Sequence, residues 1–316
     1  MSGTIEFPMN YQRYLELSRE ALAEEQFETA CEQAEAAYNM EQTIEANALL
    51  VQCLQQLDQK GEALLVADEM KQDYLADEAL FSVYLELLIA NEFFIEAEKQ
   101  LIRKEPTDWS LSELKKKVVL ASEHFLVFQE KKQVERVAMV AGLAGKGALA
   151  QLASLKEVEG LPKSLYVETT KPLLMNPDIS LVARQGILLT LTQLAAVPNV
   201  SFLDIAGVAQ EVSLEKMKAY GLQEEMLRKR VLGELQAALA DEAPELAAQL
   251  VNEINMQFQL LYPFAHHHIQ DQELWVEQIL SKYLGLGFTK DFEQEMVESQ
   301  EKTLDLIQAE LIKLMS

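Results

Sequence analysis

The strongest constraint in this sequence is a small residue that returns at a long, regular interval. Ala30, Ala63 and Ala97 are 33 and 34 residues apart, and each follows a short polar step. Alanine at the crossing of two paired helices lets them approach closely, whereas a larger side chain there costs about 1–3 kcal/mol through overpacking. A period of this length predicts helical hairpins that stack on one another.

The residues around each alanine repeat as well. Apolar positions spaced by three and four residues predict one buried stripe per helix. Short polar turns are expected at 24–26, 58–60 and 91–92. An ordinary helical bundle with a coincidental spacing is the alternative. The apolar positions are Tyr14, Leu17 and Ala21, then Leu50 and Leu54, then Phe81, Tyr84 and Leu88, with Ala34, Ala67 and Leu101 downstream.

This pattern resembles the tetratricopeptide repeat family, which has a period of about 34 residues and the pattern W-x2-L-G-x2-Y … A-x3-F. In the first repeat its positions are taken by Tyr14, Leu17, Ser18, Ala21, Ala30 and Ala34, and in the third by Phe81, Tyr84 and Ala97. The similarity covers Asn10 to about Pro106. It departs from the family at the glycine position, which holds Ser18, Val51 and Leu85, and Pro106 comes a few residues early for the closing proline.

The resemblance implies an all-α fold, an α–α superhelix in which the first helix of each pair lines a groove for a peptide or helix of another protein. Family members that grip a C-terminal carboxylate use Lys, Arg and Asn, whereas Arg19 is the only cation predicted here, so a basic or neutral peptide is expected. The chain's own helix filling the groove is the alternative. The predicted groove residues are Leu15, Arg19, Leu22, Glu45, Gln52, Gln55, Gln56, Ser82, Glu86 and Ile89.

Charge and composition narrow the classes of partner. The net charge of −24 repels phosphate backbones, so no nucleic-acid partner is expected. The runs 115–117 and 228–230 are basic but lie among acids in helical patterns, which predicts solvated faces. The sequence has no long apolar stretch, so we expect no membrane partner. Residues 1–12 do not form a signal peptide, and the chain has two cysteines, Cys31 and Cys53. We therefore expect reduced thiols and a cytoplasmic location.

The sequence suggests three regions, namely repeats over 1–108, connecting helices over 109–158 and a helical, repeat-like C-terminal region over 159–316. Residues 110–113 fit a capping box that opens a helix running toward Val140. Residues 171–189 resemble one HEAT-type repeat, with that family's Pro, Asp and Arg at Pro172, Asp178 and Arg184; the resemblance implies that Asp178 caps a helix.

The last segment, 289–315, is predicted to be one long amphipathic helix. Its apolar edges include Phe288, Phe292 and Ile307. Such a helix can cap the array by covering its last apolar surface, or it can form a homodimer through the same stripe.

Candidate chemistry is sparse. The loop at 142–147 lacks the Ser or Thr that follows Gly-Lys in a phosphate-binding loop, so it predicts a helix break. The run His266-His267-His268 lies near Asp271, but adjacent residues of a helix point about 100° apart and do not converge on one ion. Acid pairs such as Glu224-Glu225 are expected to be solvated.

No pattern typical of a catalytic nucleophile is present in the sequence. We therefore expect a non-catalytic interaction scaffold without a cofactor. The alternative is an enzyme or a metal-binding protein with a site in the C-terminal region, which a deep polar pocket between Leu161 and Tyr283 would favour.

Overall fold

The computed structural model describes residues 10–104, 111–239, 244–285 and 287–315. Helices dominate these ranges, and the only β structure within them is one hairpin, so the predicted all-α class is confirmed. The chain divides into two compact units. The first comprises Met1–Glu130 with Glu159–Pro162, and the second comprises Lys131–Val158 with Lys163–Ser316.

The first unit is built from antiparallel helix pairs. Its hairpins are α1/α2, α3/α4 and α6/α7, with the short α5 inserted after the second and α8 following the third. Its helices are α1 (Tyr11–Ala23), α2 (Phe27–Met40), α3 (Ile44–Gln56), α4 (Lys60–Glu69), α5 (Lys71–Ala76), α6 (Glu78–Ala90), α7 (Phe94–Arg103) and α8 (Ser112–Phe128).

The first helix of each pair begins in the same way. Asn10, Thr43 and Asp77 precede α1, α3 and α6, and their side-chain oxygens accept hydrogen bonds from the backbone N–H three residues later, at 2.9, 3.2 and 2.9 Å. Such N-caps satisfy an amide that has no partner inside the helix. These residues keep the interval of 33 and 34, so the caps are part of the repeat.

Each first helix also ends in the same way. Glu25, Asp58 and Glu92 have φ angles of 58°, 57° and 61°. The residue after each donates its N–H back to the carbonyl five positions earlier, at 2.9, 2.9 and 2.8 Å. This left-handed ending satisfies the last carbonyls of the helix and reverses the chain. The hairpin turns are thus three copies of one geometry.

The repeated alanines occupy equivalent, fully buried positions. Ala30, Ala63 and Ala97 are each 0% exposed. Each lies in the first turn of its second helix, where its N–H donates to the carbonyl four residues earlier. The spacing in the sequence therefore corresponds to a real structural repeat. Coincidental spacing in a bundle would not place all three in one environment.

The segment 159–162 joins the first unit through α7. The Lys99 ammonium lies 2.7 Å from the Glu159 carboxylate, and the Ile95 N–H donates to the Glu159 carbonyl at 3.2 Å. Lys99 is only 6% exposed, so this ion pair is largely sheltered from water.

The second unit contains the remaining helices and a β-hairpin that the sequence did not predict. The Asp204 carboxylate holds the hairpin turn by accepting from the N–H groups of Ala206 and Val208 at 2.9 and 2.8 Å. The elements are α9 (Glu130–Ala141), α10 (Ala148–Val158), α11 (Lys163–Thr170), α12 (Leu181–Gln193), β1 (Asn199–Leu203), β2 (Ala209–Ser213), α13 (Met217–Leu239), α14 (Pro244–Leu261), α15 (Ala265–His268), α16 (Gln272–Leu284) and α17 (Gln294–Met315).

Several boundaries differ from those expected. The helix predicted to run toward Val140 ends at Phe128, and α9 is a separate helix. The terminal helix starts at Gln294 instead of 289. Ser110 and Pro106 lie outside the described residues. None of the described helices is long and apolar enough to cross a lipid bilayer.

The HEAT-like segment also differs in its capping. Asp178 does not cap α12. The Ser180 hydroxyl does so by accepting from the Ala183 N–H at 3.4 Å. Asp178 instead lies in a turn in which its N–H donates to the Asn176 side chain at 2.9 Å. Asp178 lies two residues before the N-cap Ser180, which is too early in the chain to cap the first amides of α12.

Candidate functional site

The predicted groove residues of the first unit differ widely in exposure. Leu15 is 0% exposed and belongs to the core, so its assignment to a groove surface is wrong. Leu22 and Ile89 are half-buried against the same core. The exposed members are Arg19, Glu45, Gln52, Gln56 and Glu86, whereas Gln55 and Ser82 are half-buried.

Two ion pairs join the exposed faces of neighbouring helices in the first unit. The Arg19 guanidinium on α1 lies 2.5 Å from the Glu45 carboxylate on α3, and the Lys117 ammonium on α8 lies 2.5 Å from the Glu86 carboxylate on α6. All four side chains are about half exposed, so each pair contributes little stability, on the order of 0–1 kcal/mol. Their main effect is to neutralise both acids.

The sequence did not predict that Lys117 forms an interhelical ion pair, because the lysine run 115–117 is typical of a solvated helix face. The three lysines 115–117 are consecutive, so they point in different directions around α8. Only the position of α6 next to α8 selects Lys117 for an interhelical pair.

An apolar stripe continues along α8 from Lys117. Leu120, Val127 and Phe128 are 63, 68 and 67% exposed, and the His124 ring contacts the Phe128 ring at a centroid distance of 4.6 Å. Residues 117, 120, 124 and 128 are spaced by three and four, so they share one face of the helix. We call Leu120, His124, Val127 and Phe128 the α8 stripe. Contiguous exposed apolar side chains of this size mark interaction surfaces in proteins that are otherwise well packed.

The second unit contains an open cavity of about 610 Å³ between α12, α13 and α14. Its walls include Leu189, Phe258 and Tyr262, and one side carries the polar groups of Glu224 and Arg228. A volume of this size is typical of small-molecule sites. The cavity lies in the region where the sequence alternative placed a polar pocket.

Glu224 is buried at the edge of this cavity, so the prediction that the Glu224-Glu225 pair is solvated is wrong for Glu224. It is 5% exposed. Its Oε1 lies 2.9 Å from His266 Nδ1, and its Oε2 has no hydrogen-bond partner among the described residues. Burial raises the pKa of Glu224, while the hydrogen bond from His266 opposes that rise.

Arg228 is not a solvated cation either. Its guanidinium donates to the Glu225 carboxylate at 3.0 and 2.7 Å and to the Asn255 side chain at 2.6 Å. Arg228 therefore pairs with Glu225, whereas the partner of Glu224 is His266.

The three histidines contact three different groups. His266 pairs with Glu224, the His267 ring stacks on Phe264 at a centroid distance of 5.5 Å, and His268 Nε2 lies 3.9 Å from the Asp204 carboxylate. Burial lowers the pKa of His268, and the nearby Asp204 raises it in part.

Asp271, one helical turn from His267, caps α16 by accepting from the Leu274 N–H at 2.9 Å. Within the described ranges, no group of three His, Cys, Asp or Glu side chains is arranged to hold a metal ion.

Comparison with known proteins adds no assignment to this geometry. A scan against protein-family models finds no match, and neither the curated proteins nor the solved structures contain a match to the chain.

Proposed function

We propose that the first unit is a non-catalytic protein-interaction module, similar in design to tetratricopeptide arrays, that binds an amphipathic segment of another protein. The observation that carries the proposal is the α8 stripe, which exposes Leu120, Val127 and Phe128 beside the Glu86–Lys117 pair. Removing these side chains from water on binding would favour a partner that covers them.

The dimensions of the stripe define the partner. Leu120 and Phe128 are eight residues apart on one helix, which corresponds to about 12 Å. A partner helix covering that length offers two or three apolar side chains at helical spacing. Phe128 is the expected anchor because aromatic residues dominate the binding energy of interfaces.

Charge favours a neutral or basic segment. Glu45 and Glu86 are neutralised by Arg19 and Lys117, so the exposed faces of the first helices carry amides and balanced charges. The net charge of −24 attracts a basic segment over a distance, while the α8 stripe supplies short-range contact.

The test is a peptide-display selection on the full chain, followed by fluorescence anisotropy of the selected peptide. Phe128→Glu should weaken binding by about tenfold or more, because a charge replaces an apolar anchor. Leu65→Glu is the matched control, since Leu65 is a 69% exposed apolar residue on α4, which is a second helix. Equal effects of the two substitutions would refute the assignment of the site.

Two other occupants give distinct results. If a second copy covers the stripe, the wild-type chain is a dimer by light scattering and Phe128→Glu is a monomer. If the chain's own helix occupies the groove, no peptide is selected by the wild-type chain. Either result overturns the proposal of a partner protein.

A second candidate function is binding of a small molecule in the cavity of the second unit. It is favoured by the buried Glu224, whose Oε2 lacks a partner among the described residues. Ligand-observed NMR with a library of aromatic fragments tests it. Fragments that carry an amine should bind, and Glu224→Gln should weaken them more than Glu301→Gln, which makes the same change on the exposed face of α17.

A further inference from the structure

The second unit contains a smaller and more polar cavity at one end of α10 and α12. Its volume is about 290 Å³. It is separate from the cavity around Glu224, and the two have no lining residue in common. Its lining combines cationic side chains with the beginnings of two helices. The residues that matter here are Lys146, Gly147, Ser180, Arg184, Glu310 and Lys313.

Both helices point their N-terminal ends at this cavity. Gly147 and Ala148 begin α10, which has eleven residues, and Ser180 and Leu181 begin α12, which has thirteen. The first amides of a helix have no partner within it and carry partial positive charge, so they favour an anion.

Gln151 fixes the two helix ends next to each other. Its amide nitrogen donates to the carbonyls of Leu143, Lys146 and Asp178 at 3.1, 3.0 and 3.0 Å, and its oxygen accepts from the Ser180 N–H at 2.8 Å. Gln151 is 2% exposed, so these hydrogen bonds are protected from water. The carbonyls around the cavity are thereby occupied and do not repel an anion.

Arg184 provides an independent sign of a missing partner. It lines the cavity and is 6% exposed. Its Nε has no acceptor among the described residues, and its Nη1 reaches the Asn176 carbonyl only at a long 3.4 Å. No carboxylate in the described chain lies within ion-pairing distance of the guanidinium. A buried cation that lacks a direct ion pair is costly, and burial lowers the pKa of Arg184, while the charges of Glu310 and Asp204 raise it in part.

The charges of the lining also favour an anion. Three cations, Lys146, Arg184 and Lys313, face two acids, Asp178 and Glu310, which leaves a net charge of +1. Lys313 pairs with Glu310 at 2.5 Å, and Lys146 donates to the Ser154 hydroxyl at 2.7 Å. A locally positive cavity contrasts with a chain whose net charge is −24.

We propose that this cavity binds a phosphoryl group, either as inorganic phosphate or on a small organic molecule. Amides from two helix ends and the Arg184 guanidinium provide several donors in one cavity, which suits a tetrahedral anion with several acceptor oxygens. Lys146 is within the same lining and can turn from Ser154 to the ligand. This site is independent of the protein-binding surface on α8.

Isothermal titration of the full chain at constant ionic strength tests the proposal. The probes are inorganic phosphate and glycerol 2-phosphate, with acetate and chloride as controls. The wild-type chain should bind at least one phosphate probe in the millimolar range or tighter, and acetate more weakly. Tighter binding of glycerol 2-phosphate indicates an organic source, and equal or weaker binding indicates free phosphate.

Two substitutions should weaken phosphate binding and a third should tighten it. Arg184→Gln should weaken phosphate binding by about tenfold or more, because a charge-assisted contact is lost. Lys146→Gln should weaken it less, and Glu310→Gln should tighten it, since removal of the acid makes the cavity more positive. Lys156→Gln is the control, because Lys156 is an exposed lysine of α10 outside the cavity lining.

Because Arg184 is buried, its substitution can impair folding. Lys146 is exposed and Glu310 is half-buried, so substitutions of these two residues test the site without removing a buried side chain. The proposal is overturned if the wild-type chain binds no phosphate, if Lys146→Gln matches Lys156→Gln, or if Glu310→Gln weakens binding. Acetate binding as tight as phosphate would show a general anion site and would overturn the assignment to a phosphoryl group.

Discussion

Replacing Asn47 with alanine should destabilise the first unit strongly, although the new residue favours the helix more. Asn47 lies in α3 and is 0% exposed. Its side chain donates to the Val66 carbonyl at 2.8 Å and accepts from the Tyr74 hydroxyl at 3.0 Å. It thereby links α3 to α4 and α5, which support the third hairpin.

The magnitude follows from these two hydrogen bonds. Tyr74 is also 0% exposed, so its hydroxyl finds no water when Asn47 is lost, and an unsatisfied buried donor costs about 1–3 kcal/mol. The lost bond to Val66 adds about 1 kcal/mol. The higher helix propensity of alanine offsets roughly 0.6 kcal/mol. The net loss is therefore about 1.4–3.4 kcal/mol.

A double-mutant cycle with Tyr74→Phe isolates the shared hydrogen bond. Tyr74→Phe alone leaves the Asn47 oxygen unsatisfied, whereas in the double variant neither partner remains. The sum of the two single losses should exceed the loss in the double variant by about 1–2 kcal/mol. Urea unfolding followed by circular dichroism measures the losses, and hydrogen exchange of peptides from α3 to α6 confirms that the first unit is affected. Additive losses, within about 0.5 kcal/mol, would refute the reasoning.

Three further predictions concern a turn, a thiol and a buried acid. Glu25→Gly should stabilise the chain by about 0.5–1 kcal/mol in urea unfolding, because φ is 58° there, whereas Glu24→Gly, at a φ of −89°, should destabilise it. Burial, together with Cys53 and nearby acids, raises the pKa of the Cys31 thiol to about 11. Iodoacetamide should therefore label the folded chain at pH 7.5 about tenfold or more slowly than the chain unfolded in urea. Equal labelling rates would contradict this prediction. Burial raises the pKa of Glu224, so the folded state holds its proton more tightly than the unfolded chain and stability falls as pH rises through that pKa. Glu224→Gln removes this loss, and its melting temperature relative to wild type should increase from pH 4 to pH 7; a constant difference would show that Glu224 does not titrate in this way.

The repeated hairpins could be predicted from the sequence because every signal for them is local. Alanines spaced by 33 and 34 residues and apolar stripes of helical period specify which faces pack. Asn10, Thr43 and Asp77 keep the same interval, so the N-caps are a further local signal of the repeat. The turns follow from the ends of the helices that these signals define.

The β-hairpin was missed because α-type patterns surround it. Its strands are only five residues each, and β1 alternates buried and exposed positions over too short a length to stand out. Gly207, with a φ of 74°, and the Asp204 side chain hold the turn, but a single Asp and Gly separated by two residues is a weak signal.

Local sequence patterns specify the helical class and the hairpin period, and they contain no pattern for a known nucleophile. The environment of individual polar groups depends instead on tertiary packing. Glu224 and Glu225 are adjacent acids with the same local pattern, yet one is buried beside His266 and the other pairs with Arg228. Helical periodicity records how a residue is placed on its own helix, whereas burial and charge pairing depend on which distant segment packs against that face.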